Sequence, residues 1–315
     1  MMEVLFTFDI KDYQKEHLLT KFPEVSFHYD KHREMRLVEK ANAIVTYGED
    51  IDAELLDGAK SLEWLMVASA GVEKMPLTEI AKRQLVMSNV RGIHKTPMAE
   101  SVLAHILALK RSLSLIYQRQ QAKEWSRKVG STELKGSTAL ILGPGAIGSE
   151  IGRLLQAFGV KTIGCNRSGR ACASMDEIIT FDHLVDRLPE ADYVISVLPS
   201  TPETKGLLTK QHFEAMKETT VFMNFGRGDL VDEALLIEVL KNDVIGHAVL
   251  DVFETEPLAV ENELWVLPNC TVSPHVSSLS GKYVDRALVI VEENLEKWLK
   301  GERDLRNLID LGNGY

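Results

Sequence analysis

The chain has 315 residues, 45% hydrophobic and 26% charged, with 36 Lys and Arg against 46 Asp and Glu. That apolar fraction can bury a core, which excludes general disorder, and the length favours two domains. The formal charge of −10 argues against nucleic acid or an anionic membrane surface as a partner, although one local cluster of Arg can still receive a small anion.

At the start, Met1–Ile10 (MMEVLFTFDI) has no basic segment and too short an apolar run for a signal peptide. Short apolar runs then alternate with amphipathic ones. Val4–Phe8, Val25–Tyr29, Ala43–Thr46, Leu62–Ala68 and Leu85–Ser88 are expected strands, with helix-spaced segments Lys11–Lys21, His32–Glu39 and Asp52–Ala59 between them. This alternation predicts a parallel sheet covered on both faces. Pro97 can open a helix, and apolar residues recur at helical spacing from Met98 to about Ala122 (Val102, Ile106, Leu109, Leu113, Ile116), which predicts one long helix. After the polar stretch Lys123–Gly136, a second series begins. Its expected strands are Thr138–Leu142, Lys161–Cys165, Tyr193–Leu198, Thr220–Asn224, His247–Asp251 and Thr271–Ser273, and a helix from about Lys282 to Lys300 follows.

The long helix reads as a hinge between two doubly wound α/β units, and the last helix can fold back to complete the first. The expected division is residues 1–92 with 282–315 as one discontinuous domain and 93–281 as the other. No stretch approaches the ~20 apolar residues that cross a bilayer. Cys165, Cys172 and Cys270 include no C-x-x-C and make an odd number. They predict free thiols in a cytoplasmic protein, with neither a disulfide framework nor a metal site.

Gly143-Pro144-Gly145-Ala146-Ile147-Gly148 fits G-x-G-x-x-G, and it stands where that pattern has meaning. An apolar strand precedes it, and Ile151, Leu154, Leu155 and Phe158 follow at helical spacing. Gly143 permits the tight turn, Gly145 lets backbone approach a pyrophosphate, and Gly148 lets helix and strand pack closely. Some 20 residues on, a site that holds the ribose 2′-hydroxyl of NAD usually places Asp or Glu. Here the strand ends in Asn166-Arg167-Ser168-Gly169-Arg170, and the nearest acid is Asp176. Two guanidinium groups attract a 2′-phosphate that a carboxylate would repel, so NADP(H) is expected in preference to NAD(H).

Three further segments follow expected strands: Asn224-Phe225-Gly226-Arg227-Gly228, Asp251 to Pro257, and Ser273-Pro274-His275-Val276-Ser277. Parallel strands would bring Arg227, Glu256 and His275 to the edge where open α/β sheets bind ligands. His can give a proton to a carbonyl oxygen at neutral pH, a carboxylate beside an imidazole favours its charged form, and Arg can clamp a substrate carboxylate. Taken singly, each residue has an ordinary structural explanation, and His17, His28, His32, His183 and His212 are expected to be structural.

With these motifs the chain resembles the D-isomer-specific 2-hydroxyacid dehydrogenases, and among them the NADPH-dependent glyoxylate/hydroxypyruvate reductases. The resemblance rests on GPGAIG, LPSTPETKGL (Leu198–Leu207), NFGRGDLVDE (Asn224–Glu233), LDVFETEPL (Leu250–Leu258) and SPH (Ser273–His275). It implies a Rossmann-type cofactor domain and a flavodoxin-like substrate domain with a cleft between them. It also implies that Arg227, Glu256 and His275 are the catalytic residues. Cofactor contacts are implied at Ala146, Ile147, Leu198, Pro199, Thr204, Phe225, Gly226, Arg227 and Asp251. The segment Ala68–Val72 matches the family's substrate loop, with Ala70, and the amides of Gly71 and Val72, at the substrate carboxylate. Members are commonly homodimers.

The activity implied is reduction of a short 2-oxo acid to the D-2-hydroxy acid, with His275 as proton donor. An NAD(P)(H)-sensing interaction module of the same fold, and phosphite or 3-phosphoglycerate oxidation, share the same motifs. Glu256 stands where the family's formate dehydrogenases carry Gln, which argues against that activity.

Overall fold

Alternating apolar and amphipathic segments become alternating strands and helices in the computed structural model, which describes residues 1–69, 72 and 75–311. From the N-terminus the elements are β1 (Met2–Phe6), α1 (Asp12–Lys21), β2 (Val25–Tyr29), α2 (Met35–Lys40), β3 (Ala43–Thr46), α3 (Ala53–Gly58), β4 (Trp64–Val67), α4 (Leu77–Lys82) and β5 (Val86–Asn89). Then come α5 (Lys95–Lys110), α6 (Leu113–Gln121), β6 (Thr138–Leu142), α7 (Ala146–Ala157), β7 (Lys161–Cys165), β8 (Glu177–Ile179), α8 (Leu184–Arg187) and β9 (Tyr193–Ser196). The chain continues through α9 (Lys210–Glu214), β10 (Val221–Asn224), α10 (Glu233–Lys241), β11 (His247–Leu250), β12 (Cys270–Val272) and α11 (Tyr283–Leu299). Two compact units result, Met1–Ile93 with Ser280–Tyr315, and His94–Leu279.

The first unit holds a five-stranded parallel sheet in the order β2-β1-β3-β4-β5, the doubly wound order of flavodoxin-like folds. Every residue of β3 and β4 is buried, as expected for strands covered on both sides. Alternate residues face opposite layers. Phe6, Val45, Trp64 and Met66 pack against Leu288, Val291, Leu295 and Trp298 of α11. Leu5, Ile44, Leu65 and Val67 pack against Leu55, Leu56 and Ile80. Trp64 stacks on Trp298 at 5.3 Å between ring centres and donates its indole N–H to Ser88 at 2.9 Å.

The second unit holds a seven-stranded parallel sheet, β12-β11-β10-β9-β6-β7-β8. Its first strand, β6, has β7 on one side and β9 on the other, so the order reverses between β6 and β9. Dinucleotides bind at such a reversal. One face carries Leu140, Leu142, Ile163 and Phe222 against Leu184, Phe213 and Leu236. The other carries Ala139, Ile141, Ile195 and Met223 against Val102, Ile106, Ile151 and Leu155 of α5 and α7.

The structure corrects two expectations. The long helix is broken, because Ser112 has a left-handed backbone (φ 53°) that interrupts the hydrogen-bond ladder between α5 and α6. The apolar spacing runs on through the break, but α6 buries none of its residues. The short strand β8 was not anticipated; it adds three residues to the sheet edge beside β7. Among the described residues, no helix is long and apolar enough to cross a membrane.

Candidate active site

All seven strands of the second unit are parallel, so the turns after β6, β9, β10, β11 and β12 open on one edge of its sheet. The glycine turn lies after β6. Gly143 has φ +91°, which glycine adopts without strain, and its amide donates to Cys165 O at 3.0 Å. A Cβ at Gly148 would stand 2.3 Å from Gly143 O, so only glycine lets α7 come this close to the turn. A Cβ at Gly145 would meet nothing within 4 Å, and Gly145 and Ala146 are exposed with Ile147 half-buried. The first N–H groups of α7 have no partner within the helix. A glycine turn opening a helix in this way can receive a pyrophosphate.

The loop after β7 is built on Asn166. Its side chain donates to Arg170 O at 2.9 Å and accepts from the Ser168 amide at 3.1 Å. This bracing leaves Arg167, Ser168 and Arg170 exposed. Asp176 turns away from the loop. Its carboxylate accepts the Thr162 amide at 2.8 Å, and that bond first, with the Thr162 and Gln156 side chains, holds it below the usual carboxylate range. The loop residues 166–170 carry no acid, and Arg167 and Arg170 are exposed there. After β9, Leu198 is buried and the Thr204 hydroxyl donates to Pro199 O at 2.6 Å, which fixes the Pro199–Thr204 turn from within.

Arg227 is placed by backbone packing. Asn224, 1% exposed at the end of β10, donates to Arg227 O at 2.9 Å and accepts the Gly226 amide at 3.1 Å. Phe225 is buried beside it. A Cβ at Gly226 would lie 2.4 Å from Leu198 O, and one at Gly228 would lie 2.0 Å from the Phe253 carbonyl carbon. The Arg227 turn is thus wedged between the turns after β9 and β11. The guanidinium itself is exposed, donates to Gly226 O at 2.8 Å, and among the described residues pairs with no carboxylate.

The turns after β11 and β12 are tied by Asp251, which is fully buried. Its carboxylate accepts the Ser273 hydroxyl at 2.6 Å, the Val276 amide at 3.0 Å, and both the amide and hydroxyl of Ser277. This grip fixes the Ser273–Ser277 turn, in which His275 takes a left-handed backbone (φ 54°) that is unusual for a residue with a side chain. Such a conformation persists where surrounding bonds impose it, as these do. His275 Nδ1 lies 2.7 Å from Glu256 Oε2, and Glu256 Oε1 accepts the Phe253 amide at 3.1 Å. An apolar cavity of about 530 Å³ adjoins the pair, walled by Phe253, Pro257, Leu258, Trp265, Val272 and Pro274.

Glu256 and His275 are therefore in contact, and Arg227 stands on the neighbouring turn of the same edge. Asn224, Gly228, Ser273 and Ser277 support them. The sequence pattern gave these four no role: Gly228, Ser273 and Ser277 act through a contact with another strand's turn, and Asn224 through the turn after its own strand. In the first unit, Val72 is buried, whereas Ala70 and Gly71 lie outside the described residues. Burial pushes the Cys165 and Cys270 thiols up to about 12, so neither is ionised at neutral pH. Among the described residues no His, Cys, Asp or Glu cluster could hold a metal.

The sheet order and the glycine turn define a dinucleotide-binding α/β protein. Residues 103–277 match the family model described as D-isomer specific 2-hydroxyacid dehydrogenase, NAD binding domain. The chain belongs to that family and so is an oxidoreductase. It is 33% identical to a D-isomer specific 2-hydroxyacid dehydrogenase family protein from Aeromonas salmonicida, whose crystal structure it matches with a TM-score of 0.86 over 98% of this chain and 99% of that one. It is 28% identical to the NADPH-dependent glyoxylate/hydroxypyruvate reductase of Sinorhizobium meliloti, solved with NADP and sulfate, at a TM-score of 0.80 over 100% of both chains. It is also 30% identical over 282 residues to the D-3-phosphoglycerate dehydrogenase of Archaeoglobus fulgidus, covering 88% of this chain but only 53% of that relative's length.

Proposed function

We propose that the protein reduces a short 2-oxo acid, such as glyoxylate or hydroxypyruvate, to the D-2-hydroxy acid with NADPH. The observation that carries this reading is the His275–Glu256 contact at 2.7 Å, on the sheet edge that also bears the glycine turn and Arg227. The residues fit the cofactor. Gly143, Gly145, Ala146, Ile147 and Gly148 would hold its pyrophosphate. Leu198, Pro199, Thr204, Phe225, Gly226 and Asp251 belong to turns on the same edge. Arg167 and Arg170, with Ser168 and Asn166 between and behind them, would take the 2′-phosphate, which favours NADP(H) while NAD(H) can still bind. The reductase of Sinorhizobium meliloti, whose structure contains NADP, supports the same choice.

When bound, the cofactor supplies a hydride to C2 of the substrate. Glu256 accepts a hydrogen bond from Nδ1–H of His275 and so fixes the ring, with Nε2–H left to give its proton to the carbonyl oxygen. Arg227 clamps the substrate carboxylate and polarises the carbonyl. Three cysteines outside any disulfide suit a reducing, cytoplasmic setting. The family resemblance supports a homodimer.

The test is absorbance loss of NADPH, and separately of NADH, with a panel of 2-oxo acids. Turnover of glyoxylate or hydroxypyruvate with NADPH is expected, and no turnover of any member would overturn the proposal. The likeness to a 3-phosphoglycerate dehydrogenase makes 3-phosphohydroxypyruvate a necessary member of that panel.

A further inference from the structure

Ser149 stands in the first turn of α7, just past Gly148, and its hydroxyl has two partners. It donates to Pro144 O, inside the glycine turn, at 3.1 Å. Cys172 Sγ lies 3.1 Å from the same oxygen, across 23 positions of chain. A hydroxyl carries one proton, and the Pro144 carbonyl takes it, so the thiol is the donor in the second contact. One oxygen thus joins the glycine turn to the segment that leaves the Arg167–Arg170 loop.

That segment lies directly on α7. Cys172 is half-buried between the exposed Ala171 and Ala173, and it packs against the apolar layer that holds Ile151, Leu155 and Met175. Its carbonyl accepts the Met175 amide at 3.1 Å, and a Cβ at Gly152 would stand 2.3 Å from Ser174 O. At the near end of the loop, Asn166 braces Ser168 and Arg170. The loop is therefore anchored at both ends, by Asn166 from its own strand and by the Cys172 thiol on α7. All of these residues belong to the second unit.

The pyrophosphate and the 2′-phosphate of NADP hang from two positions of one ribose, so the ligand itself fixes their separation. A protein that binds both must hold two phosphate-binding turns at a matching distance, and doing so before the ligand arrives favours binding. We propose that Ser149 and Cys172 are positioning residues that set this distance and thereby the preference for NADPH over NADH. The inference rests on the proposed function, in which the glycine turn takes the pyrophosphate and Arg167 and Arg170 take the 2′-phosphate. Without the tie, the Arg170 end of the loop moves relative to the glycine turn. NADH, which lacks the second phosphate, is indifferent to that movement.

The test is Cys172→Val, which keeps the bulk and removes the donor, beside Cys172→Ser, which keeps a donor and gives up bulk. Dissociation constants for NADPH and NADH are measured by calorimetric titration of the full chain, with no 2-oxo acid present. Cys172→Val is expected to weaken NADPH about threefold to fivefold, the worth of one neutral hydrogen bond, and to leave NADH within about 1.5-fold. Cys172→Ser should bind both as the unaltered protein does. In a Ser149→Ala background, which has already lost the acceptor, Cys172→Val should change NADPH binding no further. Unchanged NADPH binding in Cys172→Val overturns the proposal. An equal loss for both cofactors, or a loss in Cys172→Ser as large as in Cys172→Val, marks general loosening and also overturns it. If the unaltered protein binds NADPH no tighter than NADH, the cofactor choice of the proposed function fails. Backbone hydrogen exchange over residues 166–173, measured without ligand and expected to quicken in Cys172→Val, then still tests the tie, and unchanged exchange overturns it.

Discussion

The Nδ1 atom of His275 lies 2.7 Å from Oε2 of Glu256, and the other oxygen of that carboxylate holds the Phe253 amide. The ring's orientation therefore depends on a side chain that is itself fixed at both oxygens. His275→Ala should lower kcat for 2-oxo acid reduction by roughly two to four orders of magnitude, the usual worth of a proton donor. Its circular dichroism and NADPH binding should stay as they were. Turnover equal to the unaltered protein's would remove His275 from the reaction.

Asp251 has four protein donors on a carboxylate with no exposure. Asp251→Ala strands two hydroxyls and two amides in the Ser273–Ser277 turn. Charged buried hydrogen bonds of this kind are worth enough that a loss of roughly 2–4 kcal/mol in urea unfolding is expected, together with a fall in kcat. A variant as stable and as active as the original would show that the turn holds its shape without this grip.

A Cβ at Gly228 would meet the Phe253 backbone at 2.0 Å, and backbone cannot swing aside as a flexible side chain does. Gly228→Ala should push the Arg227 turn away from the Glu256 turn. The expected result is a rise in KM for the 2-oxo acid and a fall in kcat, with NADPH still titrating tryptophan fluorescence. Normal steady-state constants in the variant would count against this wedge.

Arg167 and Arg170 are exposed on the loop 166–170, which carries no acid. Replacing both by Ala should reduce the ratio of kcat/KM for NADPH over NADH by about tenfold or more, since each lost charge-assisted contact is worth a kcal/mol or two. An undiminished ratio would locate the 2′-phosphate elsewhere.

Desolvation lowers His105, His212 and His247 below the ordinary histidine value, and His105 adds to the effect at His247. Above the unfolded histidine pKa, about 6.5, these rings are neutral in both states and contribute nothing to pH dependence. As pH falls through that value, the unfolded chain takes up protons that the folded chain resists, so stability declines until the folded rings also titrate. Urea midpoints should fall between pH 7.5 and pH 5.5, and His105→Gln with His247→Gln should flatten the slope. A midpoint that climbs over this range would contradict the assignment.

Much of this architecture could be read from residue order because its signals are local. The glycine turn announces itself by a buried strand before it and a helix stripe after it, and both are visible in a dozen residues. Arg227, Glu256 and His275 each lie in the loop that follows a strand, so parallel order alone sends them to one edge. Other features escape for physical reasons. The spacing of Leu109, Leu113 and Ile116 stays helical across Ser112, whose left-handed backbone no pattern of apolar residues encodes. The β8 strand is three residues on a sheet edge, too short for a periodicity to appear. Ser273, Ser277 and Gly228 take their roles from a carboxylate or a carbonyl some 22 to 26 positions away, a distance that only folding closes.

Because α11 supplies Leu288, Val291, Leu295 and Trp298 to the layer over Trp64, one face of the first sheet remains uncovered until that helix is made. The central stretch 94–279, by contrast, builds both faces of its sheet's core from its own residues. Premature termination just before Tyr283 would therefore yield a chain with one finished half and one exposed tryptophan-lined surface, the kind of species chaperones and proteases intercept.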